Sequence, residues 1–115
     1  MRVLGFSKKW PKLYQPEFTT FRFPRKDSDR GRDWKVGELV QIVYHPRGKD
    51  REVICVAKII SKTPRKLEDV NDTEACLDGF ESAKDMHYWM LKTYGGYEAF
   101  IVPMSKLTLK REVRL

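Results

Sequence analysis

From Arg51 to Lys62, apolar side chains follow one another almost without a break: Val53, Ile54, Cys55, Val56, Ala57, Ile59 and Ile60. β-Branched residues dominate the run, and their crowded Cβ atoms favour extended backbone over helix. The segment predicts one long strand, buried on both faces and ended by Thr63-Pro64. Such a strand needs partners. Leu39-Val40-Gln41-Ile42-Val43-Tyr44 supplies one, joined to it through a hairpin loop punctuated by Pro46 and Gly48. Val3 to Phe6, Glu17 to Phe23, Ala99 to Pro103 and Met104 to Val113 read as further strands. Trp34-Lys35-Val36-Gly37-Glu38 leads into the Leu39 strand through a Gly-Glu turn.

Helical signals are fewer. Pro11 can open a single helical turn with Trp10 and Leu13 packing inward. Asp72 to Leu77 predicts a short helix, capped by Asp72 or Thr73 and stopped by Gly79. A longer helix begins at Ser82, with Asp85 in a capping position and Ala83, Met86, Met90, Leu91 and Tyr94 on its apolar face. Gly95-Gly96 ends it. No βαβ rhythm is present. The pattern predicts a mainly β, α+β fold: a small closed or nearly closed barrel with one or two helices at its rim.

The chain has 115 residues and a formal charge of +7, which suits one domain spanning 1–115. The excess is uneven. Basic residues crowd the part before Trp34, whereas Glu68, Asp69, Asp72, Glu74, Asp78, Glu81 and Asp85 make the middle acidic. A basic half suits a polyanion such as RNA, DNA or a phosphorylated metabolite; solvation alone is the plainer explanation. No apolar run reaches the length of a membrane-spanning helix, so a cytoplasmic protein with no membrane partner is expected. Cys55 and Cys76 are expected as free thiols. With no CxxC pair, and with His45 and His87 far apart in sequence, no metal site and no cofactor are expected.

The stretch from Glu17 to Arg25 carries the candidate site. At a period of two, Thr20 and Arg22 share one face and Phe21 and Phe23 the other. The aromatic face anchors a core. The opposite face offers a hydroxyl and a fixed charge, next to Arg25 and Lys26. The segment that follows, to Asp33, has mixed charge and no apolar residue. It predicts a surface loop whose Arg30 and Arg32 either close over a phosphate or merely solvate it. Lys8, Lys9, Trp10 and Lys12 form a candidate binding lip of charge and aromatic surface. In the plainer alternative, Trp10 and Leu13 plug the core and the lysines are solvated.

Four landmarks in order resemble the ASCH domain family of the PUA-like superfamily. They are Thr20-Phe21-Arg22; Trp34-Lys35-Val36-Gly37-Glu38; Asp78-Gly79-Phe80-Glu81-Ser82; and a helix reaching Tyr94 before a strand at Ala99 to Val102. The resemblance implies a PUA-like barrel of five or six strands. It also implies a cleft for RNA or a nucleoside between the Thr-x-Arg strand and the Asp-Gly-Phe junction. One branch of that family hydrolyses the amide of N4-acetylcytidine with a lysine, a threonine and an acid. Carried over by motif, the threonine is Thr20 and the acid Asp78, but the lysine position holds Glu17. Glu17 could act as a base only if burial raised its pKa. Otherwise Lys8, Lys9 or Lys12 would have to reach in from the preceding turn.

The leading expectation is an RNA-binding domain that recognises RNA or a modified nucleotide in a basic cleft. Lys8, Lys9, Trp10, Lys12, Thr20, Arg22, Arg25, Lys26, Arg30, Arg32 and Asp78 are its candidate contacts. The alternative is a small hydrolase, either N4-acetylcytidine amidohydrolase-like or a ribonuclease, with Thr20, Glu17 and Asp78 as catalytic candidates. A protein-interaction module is the third reading. A monomer is expected rather than an oligomer.

Overall fold

The spine of the sheet is the long apolar strand, and it runs further than its sequence suggests. In the computed structural model, which describes residues 1–23, 33–94 and 103–112, this strand extends from Glu52 to Arg65. In chain order the elements are β1 (Arg2–Phe6), a 3-10 turn (Pro11–Tyr14), β2 (Glu17–Arg22), β3 (Leu39–Tyr44) and β4 (Glu52–Arg65). A second 3-10 turn (Leu67–Asp69), α1 (Asp72–Leu77), α2 (Ala83–Tyr94) and β5 (Met104–Arg111) follow. The expected strand at 99–102 and the basic loop carrying Arg25, Lys26, Arg30 and Arg32 lie outside the described residues.

The result is an α+β fold built on one five-stranded sheet in the order β1-β3-β4-β5-β2. β1 pairs with β3 in parallel, and the remaining neighbours are antiparallel. Among the described residues the sheet is open: β1 and β2 are its two edges, and no backbone ladder joins them. A side chain crosses the gap instead. The Arg22 guanidinium on β2 donates to the Gly5 carbonyl of β1 at 2.8 Å and lies over the Phe6 ring at 4.5 Å. Arg22 thereby satisfies an edge acceptor that a closed ladder would have satisfied.

Two expectations about β4 are corrected. Pro64 does not end the strand. β3 pairs with β4 only as far as Lys58, whereas β5 accompanies it to Arg65. Among the described residues Pro64 therefore falls where β4 has β5 as its one neighbouring strand, an edge position in which a strand tolerates proline. Nor is β4 buried on both faces. Cys55, Ala57 and Ile59 are buried, whereas Val53, Lys58 and Ile60 are exposed, as in an antiparallel sheet with one solvated face.

The inner face of the sheet gathers Leu4, Phe6, Phe18, Val40, Ile42, Ala57, Ile59, Leu107 and Leu109, closed at one end by Trp10 and Leu13. Phe18 shares this face with Thr20 and Arg22, so the polar face of β2 is continuous with the main core rather than opposite it. On the other side, Phe21 and Met104 pack with Leu67, Val70, Ala75, Met86 and Met90. Ala75 comes from α1 and Met86 and Met90 from α2, so the two helices cover the part of that face beside Phe21 and Met104.

Helix ends follow local chemistry. Asn71, one residue before the expected cap, accepts the Glu74 N–H at 2.9 Å. Ser82 Oγ accepts from the Asp85 N–H at 3.1 Å, as the capping pattern predicts. α1 ends in a Schellman turn: Phe80 N–H reaches the Ala75 carbonyl at 2.9 Å, and Gly79 N–H reaches Cys76 at 3.1 Å. Gly79 has φ of 106°, and a Cβ there would lie 3.0 Å from the Trp10 ring. Gly79→Ala is therefore expected to destabilise the protein by about 1–2 kcal/mol and to disturb Trp10 fluorescence. An unchanged urea midpoint would contradict this reading of the turn.

Candidate functional site

The Schellman turn does more than end a helix. It aims Asp78 inward and sets Phe80 against Trp10. From the N-terminal side, the 3-10 turn does the same for Lys12: Pro11 stands at its first position and Leu13 N–H bonds the Trp10 carbonyl at 3.0 Å. The two turns meet through an ion pair between residues far apart in sequence. Lys12 Nζ lies 2.9 Å from Asp78 Oδ1 and donates to the Thr19 carbonyl at 2.8 Å. The Thr19 hydroxyl donates to the same Asp78 oxygen at 3.3 Å. Lys12, Asp78 and Thr20 are 9%, 5% and 4% exposed.

Above this pair sits a cleft of about 280 Å³. Its walls include Gly5, Phe6, Ser7, Trp10, Thr20, Arg22, Phe80, Trp89, Met90 and Thr93. Three rings cluster at one side. Trp10 lies 5.1 Å from Phe80 and 6.0 Å from Trp89, and Phe80 lies 5.7 Å from Trp89, all tilted or edge-on. Such contacts each add about 0.5–1.5 kcal/mol beyond area burial. Arg22 Nε donates to Thr20 Oγ1 at 3.3 Å. Asp78 Oδ2 and the Thr20 hydroxyl proton have no hydrogen-bond partner among the described residues. The cleft thus offers a nearly buried acceptor, a nearly buried donor and a cation beneath aromatic surface.

The electrostatics follow from burial. Desolvation lowers the Lys12 pKa more than Asp78 raises it, and the nearby Arg22 charge pushes the same way. Desolvation also raises Asp78, against the opposing pull of Lys12 and Thr19. Taking both charges out of water outweighs their mutual attraction, as is common for buried pairs.

Of the residues expected at the site, Trp10, Lys12, Thr20, Arg22 and Asp78 line one cleft. Glu17 does not. It is exposed and borders a separate outer groove with Pro11, Leu77 and Glu81. β2 is extended there, so a residue three positions before Thr20 lies well along the strand. Lys12, from the preceding turn, fills the role of buried cation. Lys8 is exposed over the Trp10 ring at 4.4 Å. Lys9 pairs with Glu52 at 2.9 Å, and burial of neither partner is involved. Trp34 lies in the core beneath the Arg2 guanidinium, away from the cleft lining. Phe6, Phe80, Trp89 and Thr93 are wall residues the sequence reading missed. Met86, Trp89, Met90 and Thr93 fall at i, i+3, i+4 and i+7 on α2, a spacing that marks one helix face.

Compared with known protein families, curated proteins and solved structures, the chain gives no significant match.

Breaking the buried pair has a definite sign. Lys12→Met leaves Asp78 buried without its partner and is expected to cost about 3–5 kcal/mol; Lys12→Met/Asp78→Leu should recover most of that loss. In the pH window just above the ordinary aspartate range, the folded protein holds the extra proton on Asp78, so stability falls as pH rises. In the window just below the ordinary lysine range, the unfolded chain holds the extra proton on Lys12, so stability rises with pH. Urea midpoints of wild type relative to the double variant should therefore be lowest through neutral pH and improve at both ends. A flat difference would contradict the assigned directions.

Proposed function

We propose that the protein binds RNA or a modified nucleotide and takes one unpaired base into this cleft. The observation that carries the reading is the buried Lys12–Asp78 pair beneath the Trp10, Phe80 and Trp89 rings. A planar base has a π-face for the aromatic wall and polar edges for Asp78 Oδ2, the Thr20 hydroxyl and Arg22. A buried ion pair that costs stability is commonly found where a site uses it. In this reading the protein is an ASCH-like, PUA-like binding module, and the open seam between β1 and β2 is the mouth of the site.

Amide hydrolysis of an acylated nucleoside is a second reading, favoured by one observation: burial lowers the pKa of Lys12 in the cleft that holds Thr20. In that chemistry, Lys12, once it has given up its proton, takes the Thr20 proton as Oγ1 bonds to the amide carbon. Arg22 faces the oxyanion. The proton then passes to the departing amine as the C–N bond breaks, and water hydrolyses the ester to free acid and Thr20.

Binding is tested with a fluorescein-labelled mixed-sequence single-stranded RNA 12-mer. Affinity should fall with added salt, and Trp89→Ala should weaken it by about 1–3 kcal/mol. Absent or salt-insensitive binding would overturn the proposal. Hydrolysis predicts acetate release from N4-acetylcytidine that Thr20→Val abolishes. A wild-type protein that releases none would remove the second reading.

A further inference from the structure

We infer that a bound RNA strand leaves the cleft across the end of β1 and runs onto the β3–β4 turn, whose exposed Arg47 and Lys49 contact its phosphates. This rests on the binding proposed above and gives the strand a direction. The wall formed by Gly5, Phe6 and Ser7 is shared. On one side it lines the cleft. On the other it lines a shallow depression of about 400 Å³ with His45, Pro46, Arg47 and Gly48. The crest between the two is only the end of one strand, so a chain passing over it moves directly from one hollow to the next.

The turn is held firmly against that crest. His45 N–H bonds the Phe6 carbonyl at 3.0 Å, and its Nε2 lies 2.9 Å from the Ser7 carbonyl. Its Nδ1 lies 3.0 Å from Asp50, and its ring stacks on Tyr44 at 3.9 Å. These contacts hold His45 at φ of 44°, in the left-handed region that non-glycine residues seldom occupy. Gly5 permits the approach: a Cβ there would meet Pro46 Cγ at 2.6 Å. The turn is therefore preorganised beside the cleft.

Its charge suits phosphate. Arg47, Lys49 and Arg51 are exposed and have no ion pair among the described residues. Lys8, over Trp10, adds a cation at the cleft rim. Of the carboxylates nearby, Asp50 is engaged by His45 and Glu52 by Lys9. The opposite exit is unlike this one. Beyond Lys12 and Phe80, the outer groove is bordered by Glu17, Glu81, Leu77 and Cys76; among the described residues that line it, the one cation is Lys12, which Asp78 holds. A polyanion is drawn to the first exit and repelled from the second.

The test compares the same RNA 12-mer with cytidine and uridine monophosphates on wild type, Arg47→Glu/Lys49→Glu and Glu17→Gln/Glu81→Gln. The charge reversal should weaken the 12-mer at least tenfold and reduce the salt slope by about 1.4 for two lost phosphate contacts. It should leave mononucleotide affinity unchanged. The milder Arg47→Gln/Lys49→Gln should move RNA affinity in the same direction, and Glu17→Gln/Glu81→Gln should not weaken it. RNA binding that Trp89→Ala weakens but the charge reversal does not would overturn this inference alone. Wild-type protein that binds no RNA would overturn it together with the binding proposal.

Discussion

The contact between Lys12 and Asp78 holds the cleft end of the molecule together. It joins a 3-10 turn near the N-terminus to the end of α1 and caps the Thr19 carbonyl on an edge strand. Trp10 and Phe80, the neighbours of these two residues in sequence, are thereby set against each other and against Trp89. An apolar pair of the same volume would hold the turns at least as well, because burial disfavours both charges. What an apolar pair would not supply is an acceptor and a cation at the floor of an aromatic cleft.

The open sheet belongs to the same design. Where a barrel would join β1 to β2 by backbone hydrogen bonds, the described residues leave two edges. Cationic side chains reach their carbonyls instead: Arg22 to Gly5 and Lys12 to Thr19. An exposed edge is a liability for aggregation, and charge on the edges lessens it while keeping the gap open. The cleft occupies that gap. Fold and site thus share one cause, which is the replacement of a ladder by side chains.

Much of the sheet was legible from period and composition. β-Branched runs marked β3 and β4, and alternation marked β2. Pro64 misled because a proline ends a strand only when its N–H is needed, and which side of β4 is paired depends on distant β5. Continuous apolar sequence suggested burial on both faces, but Val53 and Ile60 face outward; no local pattern reveals which face a sheet leaves bare. Thr20 and Arg22 stood out as polar residues on one face of β2, whereas Asp78 was singled out only through the family resemblance; the fold brings all three to one cleft. The partner of Asp78 was not legible, because Lys8, Lys9 and Lys12 look alike in sequence and only the turn geometry buries the third. Trp89 was missed for a different reason. Met86 and Met90 of its stripe on α2 were read as apolar, but Trp89 was left off that face, and only the fold shows that it lines the cleft.

The central claim, that a buried Lys12–Asp78 pair forms the floor of a ligand site, is tested most directly by NMR titration of the Lys12 ammonium, with and without saturating single-stranded RNA. Lys12 should lose its proton below the ordinary lysine range, and its signal should shift when RNA is added, more than those of exposed Lys35 or Lys58. A Lys12 that titrates as a solvent-exposed lysine and stays unmoved by RNA would contradict it.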